Sequence, residues 1–204
     1  MSRCGEGERE GKAGRDMPTP PEHRFYQPVN RLCHGTVIKG YQKGRTIGFP
    51  TANVCQYPGT DTDGDTATPE GVYVGFATVR GILHEVKPAI ISVGINPTFS
   101  DRGLTVEAHI MHDFQCHRTP AEIEAIKQRG ETPLPEFYGH DIRVLLLGRI
   151  REMIKFKGLA ELKANISTDY SYAESLFCTG WMRQRGDAVD AQGVMVQGWE
   201  GDMP

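Results

Sequence analysis

Short apolar runs of period two fill the middle of this chain. Cys33 to Lys39 is β-like, and Val72 to Val79 is rich in β-branched and aromatic residues and follows Gly71. Lys87 to Val93 contains Ala-Ile-Ile-Ser-Val, Leu104 to His112 alternates, and Asp141 to Leu147 carries Ile-Arg-Val-Leu-Leu-Leu. A shorter strand is expected from Thr51 to Gln56, and Gly, Pro, Asn and Asp punctuate the gaps. Six short strands bounded by turn residues predict a mainly β protein, a barrel or a sandwich. The period then changes. Leu159, Leu162, Ile166 and Leu176 recur at helical spacing, so residues 158–177 predict one amphipathic helix, whole or broken near Ser167–Asp169. A second, short helix is expected at 120–129. Thr119 is its N-cap, Pro120 its first residue, Glu122 its capping-box residue and Gly130 its stop.

The chain of 204 residues has room for one domain with tails. Residues 1–28 carry ten charges, four Gly and four Pro, with nothing large and apolar before Phe25 except Met17. Such a segment buries too little surface to offset its ordering entropy, and a disordered tail is expected. Residues 179–204 lack periodicity and hold both Trp residues, Trp181 and Trp199. The domain expected between the tails is 29–178. The five Cys include no C-x-x-C pair, which argues against a disulfide framework or a Cys-based zinc module and for a reducing compartment, the cytoplasm. No apolar run approaches ~20 residues, so no transmembrane helix and no membrane partner are expected. A net charge of −3 argues against a general nucleic-acid binder.

The densest candidate chemistry runs from Gly35 to Val54. Gly40, Gly44 and Gly48 are interleaved with Lys39, Lys43 and Arg45. Glycines let backbone N–H groups approach a phosphate, and the cations neutralise it. Thr51 offers a hydroxyl suited to a hard cation, and Asn53 an amide; two apart on a strand, they point the same way. The spacing is neither G-x-G-x-x-G nor a P-loop, so a plain Gly-rich hairpin with a basic edge fits the spacing as well. In the strand 104–112, Thr105, Glu107, His109 and Met111 share one face, and Leu104, Val106, Ala108, Ile110 and His112 the other. Glu107 is thereby a carboxylate on a definite face, a base or solvated surface. His109 and His112 fall on opposite faces, which favours packed or hydrogen-bonded roles over a zinc pair. Asp61-Thr-Asp63-Gly64-Asp65 has the wrong spacing for a calcium loop and reads as a solvated turn. Ser92 lacks a G-x-S-x-G context, which leaves hydrolase chemistry unsupported.

Several of these stretches, in order, resemble the riboflavin kinase family. They are Gly-Phe-Pro-Thr-Ala-Asn at 48–53 behind its Gly/Lys/Arg loop, Gly71 to Ala77, Ser92 to Phe99, Val106 to His112, Phe137-Tyr-Gly139 and Ile150 to Phe156. The resemblance covers roughly residues 31–177 and implies a six-stranded antiparallel β-barrel with a C-terminal α-helix. It implies transfer of phosphate from ATP to the 5′-hydroxyl of riboflavin, giving FMN and ADP, with Mg²⁺ or a similar divalent cation and no tightly bound organic cofactor. A monofunctional, monomeric kinase is expected, since only about 30 residues precede the domain.

By matching positions, the resemblance assigns Glu107 as general base and Thr51 and Asn53 to the metal. It places Gly40, Arg45, Thr51, Asn53, Ile110, His112 and Tyr138 at ATP, and Arg151, Ile154 and Phe156 at the flavin. Gln42 stands where many members have a further Gly. The connection from Asp113 to Glu136 is long for the family and is either part of a lid or a decoration. A flavin-binding barrel without catalysis is the alternative reading; Glu107, Thr51 and Asn53 together argue against it. An oligonucleotide-binding barrel would need a basic groove with stacking aromatics, which 8% aromatic content and the negative charge disfavour.

Overall fold

The computed structural model describes residues 20–40, 42–56, 68–83, 86–95, 104–111 and 134–179. Six strands are present: β1 (Gln27–Ile38), β2 (Ala52–Gln56), β3 (Gly71–Val79), β4 (Lys87–Ile95), β5 (Leu104–Ile110) and β6 (Asp141–Arg151). A single turn of helix, α1 (Lys43–Thr46), lies between β1 and β2, and α2 (Leu159–Cys178) follows β6. All pairings are antiparallel, and the ring closes in the order β1-β2-β5-β4-β3-β6. Closure removes every free sheet edge.

Period two decides what fills the ring. Cys33 and Val37 of β1, Ala52 and Val54 of β2, Ile91 and Val93 of β4, and Val106, Ala108 and Ile110 of β5 point into one buried core with Tyr73, Ala77, Val144 and Leu146. The opposite faces of β3 and β6 are apolar as well. Val72, Val74, Phe76, Leu145 and Leu147 pack under Tyr172, Ala173, Leu176 and Phe177 of α2, with the Phe76 and Phe177 rings 5.4 Å apart. This second layer explains why every residue of β3 is buried and why its sequence reads as a run rather than an alternation.

The helix expected at 158–177 is present and unbroken. Asp169 does not interrupt it, because its carboxylate faces the barrel and is fully used. Arg151 donates to it from Nε (2.9 and 3.0 Å) and Nη2 (2.7 Å), and Arg24 from Nε (3.0 Å), with Arg24 Nη2 2.9 Å away as an ion-pair contact. Arg24 falls in the segment whose composition suggested a tail. Residues 20–28 instead pack on the barrel: the Phe25 N–H donates to the Ile150 carbonyl, and Gln27 and Pro28 pair with β6. β1 and β6 therefore extend beyond Cys33–Lys39 and Asp141–Leu147, through charged residues that hide the alternation. Residues 1–19, the acidic turn 61–65, the helix expected at 120–129 and residues 180–204 lie outside the described residues.

Candidate active site

The loop from β1 to β2 is folded tightly because three glycines allow it. A Cβ on Gly40 would lie 2.3 Å from Asn53 Nδ2, so the loop backbone rests on that amide. A Cβ on Gly44 would lie 2.2 Å from the Phe49 carbonyl oxygen, and the Gly44 carbonyl accepts from the N–H of Ile47 and Phe49. Gly48 has φ +88°, a conformation that favours glycine. Gln42 has φ +58°, in the left-handed region that favours Gly, and its amide Nε2 donates to Tyr138 Oη at 2.9 Å. The Gly-rich segment, expected as a hairpin or a phosphate-binding loop, contains the helical turn α1.

Strand register assembles the polar groups. Asn53 of β2 stands opposite Glu107 of β5, and Glu107 opposite Ser92 of β4. Directly opposed residues share a face, so these three form a row on the outside of the barrel. Thr51, immediately before β2, donates its hydroxyl to Glu107 Oε2 at 3.4 Å. Burial raises the pKa of Glu107, opposed in part by the bond from Thr51. A cavity of about 560 Å³ opens at the neighbouring mouth of the barrel. Its floor is apolar (Val37, Ala52, Ala108, Ile110), and the segment Leu134–Tyr138 forms the opposite wall. Arg45 reaches across the mouth to Glu136 at 2.9 Å.

Of the ATP-binding residues inferred from sequence, Arg45, Thr51, Ile110 and Tyr138 line this cavity. Gly40 and Asn53 meet beside it, and His112 lies outside the described residues. Arg151 is 4% exposed, its guanidinium held by Asp169 and the Glu152 carbonyl and lying 5.8 Å from the Phe156 ring centre. Ile154 is exposed beside it in the chain. The sequence pattern pointed to no role for Glu136, Asp169 or Arg24; Arg45 lies 91 residues from Glu136, and Arg24 lies 145 from Asp169. Among the described residues no cluster of three or more His, Cys, Asp or Glu side chains could hold a metal. Thr51, Asn53 and Glu107 are an oxygen-donor set, and this suits a Mg²⁺ carried by nucleotide phosphates rather than caged by protein.

A family model described as "Flavokinase: Riboflavin kinase" matches residues 28–177. The chain belongs to the riboflavin kinase family. It is 30% identical to the riboflavin kinase of Aspergillus niger over 168 residues, 78% of this chain and 75% of that protein. It is 28% identical to the riboflavin kinase of Homo sapiens over 145 residues, 70% of this chain and 78% of that one. A solved structure described as a macrolide-efflux protein from Streptococcus pneumoniae shares 28% identity at a TM-score of 0.50, over 72% of this chain and 38% of that chain. No helix among the described residues is long and apolar enough to cross a membrane. The closed ring of six antiparallel strands with a C-terminal helix is the fold the resemblance implied. The enzyme is a riboflavin kinase: it phosphorylates riboflavin to FMN by ATP-dependent chemistry of the kind that generally needs a divalent cation.

Proposed function

We propose that the γ-phosphoryl group of ATP passes to the ribityl 5′-hydroxyl at Thr51, with Glu107 as the general base. One observation carries this reading: Thr51 lines the apolar cavity and also reaches the half-buried Glu107 carboxylate. Glu107 accepts the 5′-hydroxyl proton as O5′ bonds to the γ-phosphorus. The bond to the β,γ-bridging oxygen breaks, and ADP leaves with that electron pair. The Thr51 hydroxyl and the Asn53 amide oxygen would hold a Mg²⁺ that arrives with the phosphates, and it would supply charge neutralisation. Ile110 and the cavity floor take the adenine, with Tyr138 in the cavity lining, and His112 is assigned to ATP on the family resemblance alone. Backbone N–H groups near Gly40, with Arg45, face the phosphates.

The isoalloxazine lies at the segment after β6, where Ile154 is exposed, beyond the part of the outer row that α2 covers. Ser92 is opposite Val72, and Val72 opposite Arg151, so Glu107 and Arg151 are three strands apart, about 14 Å. A ribityl chain with its ring spans that gap, bringing the isoalloxazine to Ile154 and Phe156, with Arg151 fixing the Phe156 ring. We also read 29–178, with residues 20–28 packed on it, as the kinase domain, and the enzyme as a cytoplasmic monomer with no nucleic-acid or membrane partner. The negative charge and the unpaired Cys count support the last points.

Purified protein with riboflavin and MgATP tests the assignment, with Glu107→Gln beside it. FMN and ADP should appear in equal amounts, and the variant should lose roughly 10²–10⁴-fold in kcat with riboflavin binding retained. A variant turning over at the wild-type rate removes Glu107 from the role. Riboflavin bound without FMN formed would leave a flavin-binding barrel.

A further inference from the structure

Three rings meet beside Glu107. His109 follows Glu107 by two residues on the same outward face of β5. Its ring lies edge-on to Phe49, centroids 5.5 Å apart at 73°. Tyr170 of α2 stands 6.0 Å from His109 and 6.3 Å from Phe49. The clamped imidazole places Nδ1 2.8 Å from the Pro50 carbonyl oxygen. A carbonyl only accepts, so Nδ1 carries the hydrogen.

That carbonyl belongs to the peptide whose nitrogen is Thr51's. The Phe49 N–H anchors the segment to the Gly44 carbonyl, but beyond it Pro50 has no N–H and β2 begins only at Ala52. The Thr51–Glu107 contact, at 3.4 Å, is long for a hydroxyl hydrogen bond. The backbone therefore has to set the place of the Thr51 hydroxyl. We infer that His109 is a positioning residue of the kinase reaction, its Nδ1–H holding the Pro50–Thr51 peptide so that the Thr51 hydroxyl stands beside Glu107. The inference rests on the reading of Thr51 at the metal–phosphate site.

Two substitutions separate the donor from the ring. His109→Phe keeps the aromatic packing and removes the donor; His109→Asn keeps a donor near the Nδ1 position and removes the ring. Both are compared with Thr51→Ala and with the double variant Thr51→Ala/His109→Phe, in kcat, riboflavin KM, Mg²⁺ dependence and Tm. His109→Phe should lose about tenfold in kcat, the rate equivalent of one hydrogen bond, and need more Mg²⁺, with riboflavin KM and Tm nearly unchanged. His109→Asn should retain more kcat than His109→Phe despite a lower Tm. In the Thr51→Ala background His109→Phe should add no further loss. Nitrogen NMR of the free enzyme should show the Nδ1–H tautomer, which needs no turnover. An Nε2–H tautomer, a fully active His109→Phe, or losses that add in the double variant would overturn the inference. Normal Mg²⁺ dependence in Thr51→Ala overturns the Thr51 reading and this one with it. An impaired Thr51→Ala beside a normal His109→Phe overturns this one alone.

Discussion

Asp169 joins the barrel, the N-terminal segment and α2 through one carboxylate, and Asp169→Asn is the substitution that tests the joint. The Asp169 side chain is 1% exposed, and those of Arg24 and Arg151 are 5% each. Two buried cations thus share one buried anion. The substitution removes the counter-charge that both cations share among the described residues and sets an amide beside four donated hydrogen bonds. Breaking a buried pair in this way costs about 3–5 kcal/mol. At roughly 2–4 °C per kcal/mol for a domain of this size, Tm should fall by roughly 6–20 °C. Arg24→Met should cost less, because it leaves Arg151 and Asp169 as a balanced pair. The functional effect follows from Arg151 lying over Phe156. Asp169→Asn should raise the KM for riboflavin while leaving kcat at saturating flavin close to normal, since Glu107 lies three strands away. Thermal unfolding of the ligand-free protein gives the first quantity and steady-state kinetics at saturating MgATP the second. A Tm shift below about 2 °C, or a larger loss for Arg24→Met than for Asp169→Asn, would refute the charge argument.

Burial raises the Glu107 pKa, so the acid limb of the kcat/KM profile should lie above the ordinary carboxylate range; a limb at or below that range contradicts the assignment. The stability effect has a definite sign. A raised folded pKa gives stability that is complete below the unfolded value and lost as pH rises through the folded one. Glu107→Gln should therefore raise Tm near neutral pH, with the gain shrinking on acidification; a gain independent of pH would point to packing instead. Gly40→Ala pushes a methyl into the Asn53 amide, the movable end of a side chain. It should lower kcat with little change in Tm, and an unaffected kcat would separate Asn53 from turnover. Gly75→Ala sets a Cβ 1.8 Å from the Leu145 carbonyl of β6, where only backbone can yield. It should destabilise by about 1–3 kcal/mol or more, read by denaturant unfolding, with unchanged activity per folded molecule.

What the sequence revealed followed its periodicity. β5 was legible residue by residue, because alternation assigns Val106 and Ala108 to the core and Glu107 and His109 outside, as found. β3 and β6 were legible as strands but not by face, since α2 buries their second side. The start of β1 was hidden, because Arg24 to Arg31 owes its order to partners in β6 and α2 rather than to local pattern. The α1 turn was hidden by the glycines around it. His109 could be given a hydrogen bond but not a partner, since Pro50 is 59 residues away. Asp169, which could have broken the helix, instead anchors it, a reversal that depends on two arginines brought in by the fold.

The same periodicity limits where chemistry can occur. The described interior is filled by side chains such as Tyr73, Ile91 and Leu146, so this small barrel has no lumen to hold a ligand. α2 covers the outer faces of β3 and β6 and Ile90 of β4, and its Tyr170 reaches His109 of β5. Beside that layer the polar row Asn53, Glu107 and Ser92, which register collects on β2, β5 and β4, stays half-exposed next to the mouth. A substrate at the mouth and another on the outer face can meet only where a residue borders both. Thr51, at the turn into β2, does so. A one-residue slip of β5 would turn Glu107 inward and Ala108 outward, destroying core and site together. Core packing that enforces the register therefore also holds the Glu107 carboxylate in place.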